Sequence, residues 1–441
     1  MIQVAQIIFI LSVLVVLHEF GHYITAKMFK VRVEKFYLFM DAGFSIVKKK
    51  IGDTEWGIGW LPLGGYVKLS GMIDESMDTE QMSEEAQPWE FRSKPAWQRL
   101  IIMLGGIIVN ILLAILIFTV MYSTVGQKYI ATETVQQNGL AFGEVGLKAG
   151  FQSGDKIIAV DNMPVNPKFN RLIIDVLLGE TITVDRKGVQ LPIELTDEKK
   201  ASILGLEGRS FMMPRYGFVV DSISSETAKK AGLLKGDKIV AFNGQKVTYF
   251  DELAVFTANK PLQNVNLTIE RGQKEVLITT QLDKESKIGF FRKLVNLKEN
   301  YEVVNHLSFS AAVSAALEES WQLLVYNVKQ FKLILKPKTE AYKQVKSPIG
   351  IARMLPDFWD WEFIWSFTAL FSIGLAFMNL LPIPGLDGGH ALFTVVEMVT
   401  GKKLSDKAAA KVQTFGMVIL LTLMILTFGK DIYQLVMDKF F

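Results

Sequence analysis

The 441 residues carry 48 Lys and Arg against 45 Asp and Glu, a formal net charge of +3, too small and too scattered to form the basic stripe of a nucleic-acid-binding protein. Half of the residues are hydrophobic and the mean hydropathy is positive, which implies a membrane protein too long for one compact core and with room for further domains. Cysteine is absent, so disulfides are excluded and any bound metal must be held through nitrogen and oxygen.

Four stretches are apolar enough to cross a bilayer, for which roughly 20 residues suffice: Ile2 to Ala26, Leu100 to Val125, Phe363 to Leu386 and Val412 to Phe428. The first has no Lys or Arg before its apolar run and several after it, so it reads as a retained span rather than a cleaved signal peptide. Basic residues crowd 27–99 (Lys48, Lys49, Lys50, Lys68, Arg92, Lys94, Arg99) and 400–411 (Lys402, Lys403, Lys407, Lys411). The positive-inside rule assigns both to the cytoplasm. The N-terminus, residues 126–362 and the C-terminus are then expected outside.

The first span contains His18-Glu19-Phe20-Gly21-His22. In H-E-x-x-H on a helix the two imidazoles share one face and can grip Zn²⁺, while the glutamate is placed to take a proton from an attacking water. Ionisable side chains inside a span are costly and mark function. Next comes WGIGWLPLGGYVKL, 56–69, whose alternating small and bulky residues and Gly64-Gly65 predict a β-hairpin or loop apolar enough to dip into the membrane. Irregular backbone at that depth lines a site or is buried in protein. Gly57 and Gly59 are its candidates for contact with a substrate backbone.

Beyond the second span, KAGFQSGDKIIAVDNMPV at 148–165 recurs as KAGLLKGDKIVAFNGQKV at 230–247. Each copy predicts a short helix ended by glycine, a Gly-Asp turn and a strand. The pattern resembles bacterial PDZ domains, two in tandem over 127–205 and 206–285, which add an extended peptide to a sheet edge; peptide C-termini are candidate partners, and exclusion of partners by bulk is the other reading. Farther on, Val313, Leu317, Trp321, Leu324, Val328, Phe331 and Leu335 form an apolar helical stripe that predicts packing on another domain or on the membrane surface.

Zinc needs a third protein ligand. Positions 25 and 28 hold Thr25 and Met28, so it does not follow the motif directly, and His306 falls on the outer side. The end of the third span reads MNLLPIPGLDGGHAL, 378–392, where prolines and glycines break the helix around Asp387. Counting 1.5 Å per residue, His18 lies roughly 25 Å along its helix, and Asp387 falls near the same inner depth. His390 is the rival ligand.

HEFGH, LPLGGYVKL, FRSKPAWQRLIIMLGGIIVN, the tandem repeat, SPIGIA at 347–352 and NLLPIPGLDGG together resemble the site-2 protease family, with the features of its bacterial regulator of sigma E protease branch. The resemblance implies His18, His22 and Asp387 as zinc ligands, Glu19 as general base and Asn379 as a group engaging substrate backbone or the oxyanion. It further implies an inner-membrane zinc endopeptidase that cuts single-pass membrane proteins within the bilayer, such as an anti-sigma factor already trimmed outside or remnant signal peptides. The expected fold is a polytopic α-helical membrane protein: residues 1–126 with spans 1 and 2 and a membrane-associated β-hairpin, two extracytoplasmic PDZ domains, a region at 286–360 with the amphipathic helix, and 361–441 with spans 3 and 4. Membrane lipid is a partner and nucleic acid is not. A membrane-anchored PDZ scaffold with a vestigial metal site is the alternative, and intact His18, Glu19, His22 and Asp387 argue against it.

Overall fold

A computed structural model describes residues 2–62, 64–72, 85–206, 211–293, 297–403 and 405–440. Leu63, inside the expected hairpin, and the linker at 207–210 lie outside the described residues. The chain forms two compact units, one of residues 1–126, 306–331 and 344–441, the other of 127–305 and 332–343.

Among the described residues the first unit has four helices long and apolar enough to cross a membrane. They are α1 (Ile2–Met28), α2 (Ala96–Thr124), α4 (Trp361–Leu380) and α6 (Asp406–Phe440), with α3 (Phe309–Ile334) and α5 (Asp387–Thr400) between them. Where α1 crosses α2, a Cβ on Gly21 would strike the Gly105 backbone, and one on Gly105 the Gly21 backbone. Apolar side chains gain little by leaving lipid for each other, so close backbone packing through small residues supplies the attraction. Farther along α2, Ala114 and Ile117 pack with Ala369 and Ile373 of α4 and Ala316 and Leu323 of α3.

The expected stripe on α3 is not its buried face. Leu317, Trp321, Val328 and Leu335 are exposed, whereas Ala312, Ala316, Ser320, Leu323 and Tyr326 are buried. The helix approaches its neighbours through small side chains together with Leu323 and Tyr326, and turns Leu317, Trp321 and Val328 outward, a pattern that suits a bundle in an apolar solvent. The break at the third span is present: α4 stops at Leu380, and α5 begins at Asp387. Two prolines in the intervening 381–386 lack the N–H a helix needs.

Between α1 and α2 lies a four-stranded sheet of β1 (Val33–Leu38), β2 (Met40–Ile51), β3 (Thr54–Leu61) and β4 (Tyr66–Leu69) in the order β2-β3-β1-β4. A sheet-bearing region is as expected, but 56–69 is not a hairpin. Its two strands flank β1, β3 parallel and β4 antiparallel to it; the hairpin is β2–β3, turning at Gly52-Asp53. The parallel pairing leaves β4, rather than the whole 56–69 segment, as a strand on the sheet's edge.

The second unit holds two modules with equivalent parts. Strands 156–160, 163–164, 181–186 and 189–194 form one sheet, and 238–242, 245–246, 264–271 and 274–281 the other, in the same spatial order. Each adds a short strand pair, Leu140–Phe142 with Met212–Pro214 and Val220–Ile223 with Phe290–Arg292, so both modules reach past the boundaries read at 205 and 285. A buried carboxylate staples each: Asp155 takes two hydrogen bonds from Arg186, at 2.7 and 2.8 Å, and Asp237 takes two from Arg271, both 2.8 Å. The same arginines cap the carbonyls of Gly150 and Gly232. Gln127–Ile130 pairs with Glu302–Asn305, zipping together the two ends of the unit's main segment, 127–305.

Candidate metal centre

His18 and His22 sit one turn apart on α1, only 7% and 6% exposed, and project toward the first residue of α5. The Nε2 atoms of the two rings are 3.3 Å apart. Asp387 Oδ2 lies 3.1 Å from His18 Nε2 and 3.2 Å from His22 Nε2. One ligand atom from each of the three residues falls within 4.8 Å of the others. Helix α2 contributes no ligand yet covers both rings: a Cβ on Gly106 would run into His18 and His22 together.

The atoms fit a zinc ion. His22 Nδ1–H donates to the Ile102 carbonyl at 2.9 Å, which leaves the Nε2 of a neutral ring with its lone pair facing the cluster. Apart from the two imidazoles, Asp387 Oδ2 has no hydrogen-bond partner among the described residues. Two imidazole nitrogens and one carboxylate oxygen are a donor set of catalytic zinc sites, which keep a further position open.

Beside the cluster is a cavity of about 400 Å³ lined by Glu19, His22, Met103, Gly385, His390, Gln413 and the whole of β4, Tyr66 to Leu69. Glu19 faces β4 close to Gly65, so a carboxylate, a candidate metal site and the outer edge of a strand open onto one space. Asn379, near the end of α4, puts its amide nitrogen 3.1 Å from His18 Nε2. His390, the rival ligand in the sequence, lines the cavity without joining the three-residue cluster. His306 is exposed.

Gly57 and Gly59 do not line this cavity. Both are on β3, between β2 and β1, where a Cβ would strike the Tyr37 ring or the Met40 backbone. Their small size serves packing inside the sheet, and the strand edge facing the cavity belongs to residues 66–69.

Three further buried polar residues are not among the site candidates of the sequence, although Arg99 and Asn110 lie within the stretch FRSKPAWQRLIIMLGGIIVN, 91–110. Asn110 of α2 is 0% exposed and touches His18. Gln413 of α6 is 4% exposed and lines the cavity with its amide oxygen unpartnered. Arg99 donates to Glu397 at 2.5 Å and ties α5, the helix that begins with Asp387, to α2. A lone Asn or Gln within an otherwise apolar span was the available signal.

The model of peptidase family M50 matches residues 6–423. The regulator of sigma-E protease RseP of Escherichia coli is 28% identical over 98% of this chain and 99% of its own length. The protein of the same name from Salmonella typhimurium has the same identity and coverage. With nearly the whole chain matched, it belongs to peptidase family M50 and is a zinc metalloprotease.

Proposed function

We propose that the protein cuts peptide bonds inside the membrane, within the transmembrane segments of single-pass proteins, and that His18, His22 and Asp387 hold its zinc. The convergence of these three residues beside a cavity shared by Glu19 and the open edge of β4 carries this reading. A bound zinc ion would supply Lewis acidity toward the scissile carbonyl and toward water. Glu19 accepts the proton of the attacking water and passes it to the leaving amine. Because a transmembrane helix hides its carbonyls in its own hydrogen bonds, the substrate must be unwound before attack. The outer edge of β4 offers it a replacement set of backbone partners. Asn379, beside His18, steadies the substrate backbone or the developing oxyanion.

The basic connectors at 27–99 and 400–411 favour an orientation with both in the cytoplasm and the second unit outside a bacterial inner membrane. Each module of that unit is read as a PDZ domain from its strand order and Gly-Asp turn, acting as a filter by bulk or as a binder of peptide C-termini. By the resemblance of its motifs to the site-2 protease family, the expected substrates are an anti-sigma factor already shortened outside and remnant signal peptides, which offer the same single span with little attached.

Replacement of Glu19 by Gln tests the chemistry. Zinc content is expected to stay near one per chain while turnover of a single-span substrate falls by roughly 10²- to 10⁴-fold, the usual contribution of a general acid-base. Near-normal cleavage by the Gln variant would remove Glu19 from its role.

A further inference from the structure

The two imidazoles are steadied from the same helix by unlike partners. For His22 the partner is a carbonyl, Ile102 O, which can only accept. For His18 it is the Asn110 side chain, whose Nδ2 lies 3.2 Å from His18 Nδ1. An amide can present either end, and its oxygen and nitrogen are told apart only by the bonds they make. With nitrogen toward the ring, Nδ1 must accept, the ring proton moves to Nε2, and an N–H points at Asp387 Oδ2 and His22 Nε2, where a ligand lone pair is required. In that orientation the Asn110 oxygen gains nothing, for Oδ1 is buried and has no partner.

We propose that Asn110 is a positioning residue for the metal, presenting Oδ1 to His18 Nδ1–H and so holding the ring in the tautomer that offers Nε2 to zinc. Turning the amide forfeits no bond at Oδ1, and it gives His18 the same kind of partner that Ile102 gives His22. Asn110 is firmly anchored, being fully buried, and its backbone carbonyl accepts a hydrogen bond from Ser372 of α4 at 2.7 Å. Partners of this kind orient a ligating histidine and raise its basicity, and losing one costs about 10- to 100-fold in metal affinity.

The inference rests on His18 being a zinc ligand, and the experiment separates the two ideas. Full-length protein in detergent is titrated with zinc against a competing chelator for wild type, Asn110→Leu, Asn110→Asp and His18→Ala. Leu and Asp match Asn in shape and differ in whether an oxygen can accept. Zinc affinity is expected to fall about 10- to 100-fold in Asn110→Leu and to hold or rise in Asn110→Asp. A residue that merely packs would give the opposite order, since a buried carboxylate harms packing more than leucine does. If either variant does not fold, Asn110→Thr and Asn110→Val, again matched in shape, replace the pair. Equal zinc affinity of the oxygen-bearing and oxygen-free variants, with His18→Ala unable to bind, would overturn the proposal. Undiminished binding by His18→Ala would overturn the ligand assignment beneath it.

Discussion

His22 is held through the ring nitrogen that faces away from the cluster, so its orientation is fixed by a backbone carbonyl that mutation of a side chain does not remove. Asp387 has no comparable support: its Oδ2 meets the two imidazoles and no other hydrogen-bond partner. Losing a ligand and losing a neighbour are therefore expected to differ in kind. Asp387→Ala should leave the purified protein without zinc, whereas His390→Ala, altering a residue that lines the cavity outside the cluster, should keep zinc and lose at most about 10- to 100-fold in activity. Metal content by atomic absorption distinguishes them, and a zinc-free His390→Ala protein would transfer the third ligand to His390. The motif residues were legible because H-E-x-x-H and a carboxylate amid Pro and Gly break the apolar monotony of a span. Asn110 closes the stretch 91–110, but its part in the site was not legible, since a lone amide in an apolar run signals a role without naming its partner, which appears only when α2 is laid over His18.

The spans could be read because twenty apolar residues have few other uses, and the stop at Leu380 because proline forbids what precedes Asp387 from continuing as a helix. Strand pairing was less accessible. VEKFYL, 33–38, lies between β3 and β4 although both follow it in the chain, and nothing local in 56–69 announces a third strand between its halves. On α3 the count of large apolar residues missed most of the inward face, because that face mixes Ala312, Ala316 and Ser320 with Leu323 and Tyr326. In the second unit, burial alone would push the Asp237 carboxyl up, but the hydrogen bonds from Arg271 and the Leu234 N–H bring it below the ordinary carboxylate value. A carboxyl depressed in the folded state stabilises fully above its unfolded value, about 3.9, and loses that contribution as pH falls through the folded one. The second module of the intact protein should accordingly weaken below about pH 4. Asp237→Asn should cost about 1.5–3 kcal/mol at neutral pH, the range for hydrogen bonds to charged groups, and much less in acid. Calorimetry of both proteins from pH 7 to 3 checks this; a melting difference independent of pH would mean the pair is not the acid-sensitive element.

Strands 127–130 and 302–305 pair and bring together the ends of the second unit's main segment, 127–305, to which 332–343 adds separately; adjacent ends are the arrangement under which removal of a segment is best tolerated. None of the candidate metal-site residues belongs to it. If the modules filter substrates by bulk, replacing residues 127–305 with a short flexible linker should preserve zinc binding and cleavage of a substrate whose outer domain has been removed. The same variant should also cut the full-length substrate that the intact enzyme refuses. Side-by-side cleavage of the two substrates, with Glu19→Gln as the inactive control, decides the matter; a zinc-loaded variant that cuts neither would make the modules necessary for recognition.

The three residues of the candidate metal cluster come from widely separated parts of the chain, with 364 residues between His22 and Asp387. At the usual 5–20 residues per second of synthesis, about 20–70 s separate the emergence of the histidines from that of the carboxylate. Throughout that interval α1 carries both imidazoles without the carboxylate that meets them in the folded chain. Any chain that stops before α5 therefore has two of the three candidate ligands and not the third.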